Sequence, residues 1–200
     1  MNNEYQFVTR WRVRGSVDEV YEVISEAVKY PRWWPSVYLD VKEIVRGDER
    51  GLHRRIHFFT KGWLPYTLKW ESEVVEVERP HRLAIRATGD FAGSGVWDLR
   101  QDGLEVEATF DWRITADKAL LRWLSPVMKP VFEANHRWAM EQGRISLELE
   151  MARRHARTAE ERERVPEPPG PNRTSGLWLV AGGAAVVGAI LAARRAIRRS

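Results

Sequence analysis

His136 is the side chain in this sequence best suited to move a proton near neutral pH, because an imidazole changes charge in that range. It follows Asn135 in a segment, Asn135-His136-Arg137-Trp138-Ala139-Met140, whose composition favours helix. Asp90 and Asp111 could complete an acid–base set with His136, although nothing in the sequence brings the three together. The competing reading makes Asn135 and His136 polar anchors that hydrogen-bond a strand or loop. His53 and His57 share a predicted strand face, but four residues at strand rise separate them by about 13 Å, too far to chelate one metal. There is no HExxH, no GxSxG and no phosphate loop. Arg54, Arg55 and Lys61 could meet acidic headgroups, or simply form a solvated strand face.

Aromatic residues are the second source of chemistry. Trp34, Phe59, Trp63, Tyr66, Trp70, Trp97, Trp112 and Trp138, with His57, are candidates for the wall of an apolar pocket, where rings supply contact area at low entropic cost. Ordinary core packing is the alternative for each of them. The chain holds ten tryptophans, and nine lie between Trp11 and Trp138, so the folded part has bulky rings to place. It has no cysteine, which removes disulfides, thiolate nucleophiles and iron–sulfur clusters.

The elements that must position these residues are mostly strands. Tyr5, Phe7, Trp11 and Val13 alternate with polar residues. Ser16-Val17-Asp18-Glu19 has the form of a capping box and predicts a short helix. A second short helix ends near Tyr30-Pro31-Arg32-Trp33-Trp34-Pro35. Strands are expected over residues 37–46, 52–61, 66–78, 83–87 and 93–101. Glycines 93 and 95 suggest a bulge or curvature. Asp102-Gly103 signals a hairpin. Beyond it Leu104, Val106, Ala108, Phe110, Trp112 and Ile114 alternate with Glu105, Glu107, Thr109, Asp111 and Arg113, predicting an antiparallel sheet with one covered face. A helix from about residue 120 to 156 should supply the cover. Its apolar stripe is Leu124, Val127, Val131, Trp138, Ile145, Leu149 and Ala152. Residues 153–164 read as its charged, solvated end.

The pI near 9.6 arises from the tail. Of 32 basic and 28 acidic residues, eight arginines and four glutamates lie from Arg157 onward, leaving 24 of each before it. A neutral domain has no bulk electrostatic reason to seek phosphate backbones, so no nucleic-acid partner is expected. The segment Val165-Pro166-Glu167-Pro168-Pro169-Gly170-Pro171-Asn172 reads as an extended spacer. Residues 176–193 then run without a charge, long enough at ~1.5 Å per residue to cross a bilayer core. Trp178 stands at an interfacial position, and Arg194, Arg195, Arg198 and Arg199 follow. Met1-Asn2-Asn3-Glu4 has neither the basic nor the apolar part of a secretory signal. The expected organisation is a domain over residues 1–156, a linker over 157–175, a single transmembrane helix over 176–194 and a basic tail over 195–200, with the domain in the cytoplasm.

The order of strand, two short helices, six strands and one long helix resembles the START/SRPBCC helix-grip superfamily over about residues 5–155. The stretches that carry the likeness are Trp11-Arg12-Val13-Arg14-Gly15-Ser16-Val17-Asp18-Glu19-Val20-Tyr21, Tyr30-Pro31-Arg32-Trp33-Trp34-Pro35, Lys61-Gly62-Trp63-Leu64-Pro65-Tyr66, Gly89-Asp90-Phe91-Ala92-Gly93-Ser94-Gly95-Val96-Trp97, and the segment at Asn135. They look like the polyketide cyclase/dehydrase-like branch, related to coenzyme Q-binding proteins. The resemblance implies an α+β fold: a curved antiparallel sheet of about seven strands around a long C-terminal helix, with a cavity between them. Relatives use that cavity for lipids, quinones and polyketides, and most bind or carry while a minority catalyse. It also places Asn135 and His136 toward the cavity. The expectation is membrane-tethered binding or transfer of a hydrophobic small molecule, with no cofactor and no metal. The alternatives are a cyclase or dehydratase using His136, or a non-catalytic adaptor for a protein partner. The sequence leaves the oligomeric state open.

Overall fold

The computed structural model describes residues 4–90, 92–115 and 129–172. Strand β1 spans Glu4–Arg14 and ends at the capping box. There Ser16 Oγ accepts from the Glu19 amide at 3.3 Å, and Glu19 Oε2 accepts from the Ser16 amide at 2.9 Å. Two otherwise orphaned donors are satisfied, which fixes the start of α1, Val17–Ser25. A 3₁₀ turn, Ala27–Lys29, leads into the single turn of α2, Tyr30–Trp33.

Six strands follow: β2 (Tyr38–Val45), β3 (Arg55–Lys61), β4 (Thr67–Glu78), β5 (Arg82–Gly89), β6 (Ala92–Asp102) and β7 (Glu105–Thr115). All neighbouring pairs are antiparallel, in the order β1-β7-β6-β5-β4-β3-β2. The edges are thus β1 and β2. The β2–β3 register shifts twice, between Tyr38 and Asp40 and between Glu43 and Val45. The β6–β7 turn forms at Gly103, whose φ of 62° favours glycine. Leu104 stands in that turn, 75% exposed. The alternation read from the sequence therefore begins one step later, at Val106.

The long helix α3, Lys129–His155, packs against this sheet. The buried face is not the stripe read from the sequence. Met140, Gly143, Ser146, Leu147, Glu150 and Met151 are buried, whereas Trp138, Ile145 and Leu149 are half-buried and Ala152 is exposed. This face carries Gly143 and Ser146 where the helix must approach its neighbours closely. A Cβ on Gly143 would lie 2.3 Å from the Trp34 ring, and one on Gly15 would lie 2.6 Å from the Met151 methyl. Gly143→Ala is thus expected to cost stability although alanine favours helix. An overpacking penalty of about 1–3 kcal/mol outweighs the roughly 1 kcal/mol of propensity gained. Chemical denaturation of the variant reads the difference directly.

Two further expectations change, and others fall outside the described residues. Residues 153–164 are not the frayed end of one helix: α3 stops at His155, and a separate turn, α4 (Ala159–Glu163), is capped by the Thr158 hydroxyl. Leu124 and Val127 lie outside the described residues, as does the apolar segment 176–194. Among the described residues no helix is long and apolar enough to cross a membrane. His53 is not on β3 but before it, at φ 63°, with Nδ1 3.2 Å from Glu73.

Candidate functional site

A cavity of about 190 Å³ lies between the inner face of the sheet and α3. Its wall is built on a closed loop of aromatic contacts drawn from six strands and the end of α2, in which every ring but Trp11 lines the cavity. Starting at Trp11 on β1, ring centroids run to Trp97 at 4.9 Å, Phe110 at 4.5 Å and Trp112 at 5.6 Å. The loop continues to Trp70 at 5.8 Å, Phe58 at 4.3 Å and Tyr38 at 5.6 Å. It closes through Trp34, 5.0 Å from Tyr38 and 5.6 Å from Trp11. Such pairs contribute ~0.5–1.5 kcal/mol each beyond area burial. They also make the wall stiff, since each ring is fixed by two others.

Seven residues singled out in the sequence line this space: Trp34, Tyr66, Trp70, Trp97, Trp112, Asn135 and His136. Four are elsewhere. His57 and Phe59 stand on the other face of β3, because Ile56, Phe58 and Thr60 point inward and successive strand residues alternate. Phe59 instead lies under the Lys69 ammonium, 5.9 Å from its centroid. Trp63 is in the β3–β4 loop and Trp138 is half-buried on α3, neither in the cavity wall. Tyr30, Tyr38, Phe58, Phe110 and Phe132 were missed as lining residues. The signal for Phe110 was present in the β7 alternation.

The polar groups in the wall are few and mostly engaged. Burial holds the Tyr30 and Tyr38 phenols well above their ordinary value and pushes Tyr66 up to about 12, so all three remain protonated at neutral pH. Tyr30 donates to the Ile24 carbonyl at 2.5 Å, and Trp70 Nε1 donates to Thr60 Oγ1 at 3.2 Å. The Trp34 indole N–H is buried without a hydrogen-bond partner among the described residues. Among those residues no aspartate or glutamate lines the cavity. Asp90 accepts from the Lys69 amide at 2.8 Å, and Asp111 accepts from Gln6 at 2.9 Å and pairs with Arg113. Neither reaches His136, so the acid–base set considered in the sequence is not assembled.

His136 is stacked on Phe7 at 4.5 Å, with Nε2 3.5 Å from the Thr9 hydroxyl. Burial, reinforced by the neighbouring Arg137 charge, lowers its pKa to about 4. It is a neutral imidazole at physiological pH, able to donate or accept a hydrogen bond but weak as a base.

Asn135 closes one end of the cavity. Its Oδ1 accepts from the amides of Trp63 at 2.9 Å and Leu64 at 3.3 Å, fastening the β3–β4 loop to α3. Gly62 permits this approach, since a Cβ there would meet the Asn135 amide at 2.2 Å. Asn135→Ala should destabilise the domain by about 1–3 kcal/mol by stranding two backbone donors. It should also raise the rate at which a bound apolar fluorophore escapes. Asn135→Asp keeps the acceptor and should restore most of both in stopped-flow release measurements.

At the opposite end Arg54 separates the apolar cavity from a second, polar pocket near α1 and the β2–β3 loop. Its Nε donates to Glu43 at 2.5 Å, and one terminal nitrogen lies 3.4 Å from the Ser25 carbonyl. It is not a solvated strand-face residue, because it precedes β3 in a turn that folds under α1. Among the described residues no cluster of acidic or histidine side chains could hold a metal.

Residues 6–148 match the family model described as polyketide cyclase/dehydrase and lipid transport. The chain belongs to this polyketide cyclase/dehydrase and lipid transport family. Known structures share its fold. It is similar to the Zhui aromatase/cyclase from Streptomyces sp. R1128, at 15% identity and a TM-score of 0.64 over 78% of this chain and 98% of that one. A protein of Thermus thermophilus gives 14% and 0.60 over 76% and 100%. A START superfamily protein from Mycobacterium smegmatis gives 12% and 0.57 over 72% and 94%. At these identities the likeness concerns fold. No curated protein matches the sequence. Membership in the polyketide cyclase/dehydrase and lipid transport family places the function among hydrophobic small-molecule binding and polyketide cyclisation.

Proposed function

We propose that the domain binds and carries a hydrophobic small molecule in the cavity between the sheet and α3, tethered to a membrane by residues 176–194. The observation that carries this reading is the aromatic wall, which lacks a carboxylate among the described residues and holds its one histidine neutral. Such a site favours burial of an apolar body over proton transfer. The volume of about 190 Å³ suits one ring system or part of one chain better than a two-chain lipid. An isoprenoid quinone headgroup fits that description. A ligand that lives in the bilayer also explains why a tether would help, by raising its effective concentration.

The test is mass spectrometry of organic extracts from full-length protein purified from its host in mild detergent. One apolar species at near-stoichiometric amount supports the reading. An empty protein that also fails to take up added quinones and fatty acids overturns it. The second reading is polyketide cyclisation, favoured by His136 in the cavity wall and by the fold shared with an aromatase/cyclase. It requires that His136→Ala abolish turnover of a polyketide-type substrate while binding persists.

A further inference from the structure

The Pro-rich segment after α4 is held against the domain. Residues 165–172 form neither helix nor strand, and they are only partly exposed to solvent. Val165, Pro168, Pro169 and Asn172 are half-buried, while Pro166, Glu167, Gly170 and Pro171 are exposed. The half-buried positions place the segment against the protein, and its prolines favour an extended course. A basic side chain grips each end. Arg153, near the end of α3, donates to the Pro166 carbonyl and lies 3.7 Å from the Glu167 carboxylate. Lys61, in the cavity wall, donates to the Asn172 carbonyl at 3.2 Å.

These two points are at opposite ends of the sheet. Lys61 closes β3 opposite Thr67, where α3 begins, whereas Arg153 is where α3 finishes. Six residues at ~3.1 Å each cover roughly 19 Å, so the segment runs back along the domain. Asn172, the last described residue, is therefore held beside Lys61, at the end of the cavity lined by Gly62, Tyr66, Phe132 and Asn135 and closed by the β3–β4 loop. The uncharged run at residues 176–193 starts four residues further on, within about 14 Å at full extension.

We infer that this strapped segment aims the Asn135 end of the cavity at the bilayer entered by the chain's own apolar run, making the membrane surface the partner of the β3–β4 loop that closes that end. The inference rests on the tethered-carrier reading above. Trp63, Tyr66 and Lys61 at this end are residue types suited to the headgroup level. A flexible linker leaving from the end of α3 would let this end face any direction. The strap removes that freedom, and a ligand then passes between bilayer and cavity without crossing water.

The chain has no cysteine, so labels can be placed singly or in pairs. Full-length protein in detergent micelles, spin-labelled at Pro171→Cys with either Thr67→Cys or Leu104→Cys, reads the strap alone. A short, narrow distance to Thr67 and a longer one to Leu104 are expected. A broad distribution to both overturns the strap whatever the membrane does. Full-length protein in phosphatidylcholine/phosphatidylglycerol vesicles containing nitroxide lipid, with a fluorophore at Thr67→Cys or Leu104→Cys, reads the orientation. Quenching several-fold stronger at Thr67 is expected, and equal or reversed quenching overturns the orientation. Twenty Gly/Ser residues inserted after Asn172 should abolish the asymmetry while the protein still sediments with vesicles; an asymmetry that survives overturns the strap as its cause. A chain that does not sediment with vesicles at all sinks the tether reading and the orientation with it, while the spin-label distances still decide the strap.

Discussion

Trp34→Ala is expected to cost about 3–5 kcal/mol, the range for removing a large buried aromatic. Trp34 is 3% exposed and joins three parts of the molecule. It touches Trp11 on β1 and Tyr38 on β2, and its ring fills the space left open by Gly143 on α3. Truncation opens the aromatic loop and leaves a void continuous with the cavity, so the surroundings can relax only in part. Urea unfolding of the variant should show a lower midpoint, while the m-value stays near that of the parent if the native state remains compact. A larger apolar ligand should bind the variant better than the parent does, relative to a small one. An unchanged midpoint would mean that the α2–α3 contact carries no weight in the fold.

The second large effect is a pH dependence centred on His136. The unfolded chain has this imidazole at its ordinary 6.5, and the folded protein has it at about 4. Between those values the unfolded state binds a proton that the folded state refuses. Stability is therefore full above pH 6.5 and declines as the pH falls toward 4. At ~1.36 kcal/mol per unit the loss is about 2 kcal/mol by pH 5 and about 3 kcal/mol by pH 4. Glu19, Glu26 and Glu141 are held below the ordinary 4.5 by hydrogen bonds from Ser16, Lys29 and Arg144 respectively, so what they contribute is lost only at lower pH. The interval from 6.5 to 4.5 thus reports mainly on His136. His136→Gln should flatten the profile there. Parallel profiles for parent and variant would show that the imidazole is wetter than its place between Phe7 and Thr9 implies.

Local signals were the legible part of the sequence. The Ser16–Glu19 capping box needs only four residues, and it forms as read. The β7 alternation needs only the parity of one strand. The helix-grip arrangement was read from the order of elements, and membership from the resemblance of stretches such as residues 11–21 and 30–35. What the sequence hid were choices between two faces. Phe58 and Phe59 are adjacent, so only one can point inward, and β3 alone gives no reason to prefer Phe58. On α3 the bulkier apolar residues suggested one stripe, but close approach to Trp34 selected the neighbouring face with Gly143 and Ser146. The roles of Asn135 and Arg54 depend on partners 72 and 11 residues away, separations that no local pattern encodes. The path of residues 165–172 was hidden for the same reason, since proline content predicts extension but not what the segment lies against.

The two sheet edges have a consequence for solubility. An open edge strand offers unpaired amides and carbonyls to any second copy, and long flat edges invite chains to zip together. Here β2 is bent twice by its register shifts, with Ile44 and Val45 exposed beside those bends. An incoming strand would meet a ladder broken every few residues. The β1 edge is regular over eleven residues, but it carries Arg10, Arg12 and Arg14 at alternate positions. In a register centred on Arg12, antiparallel pairing of two such edges would set guanidinium against guanidinium across the seam, although Arg12 is already paired with Asp102, Glu105 and Glu107. Among the described residues one border is thus guarded by shape and the other by charge, both of which disfavour edge-to-edge pairing.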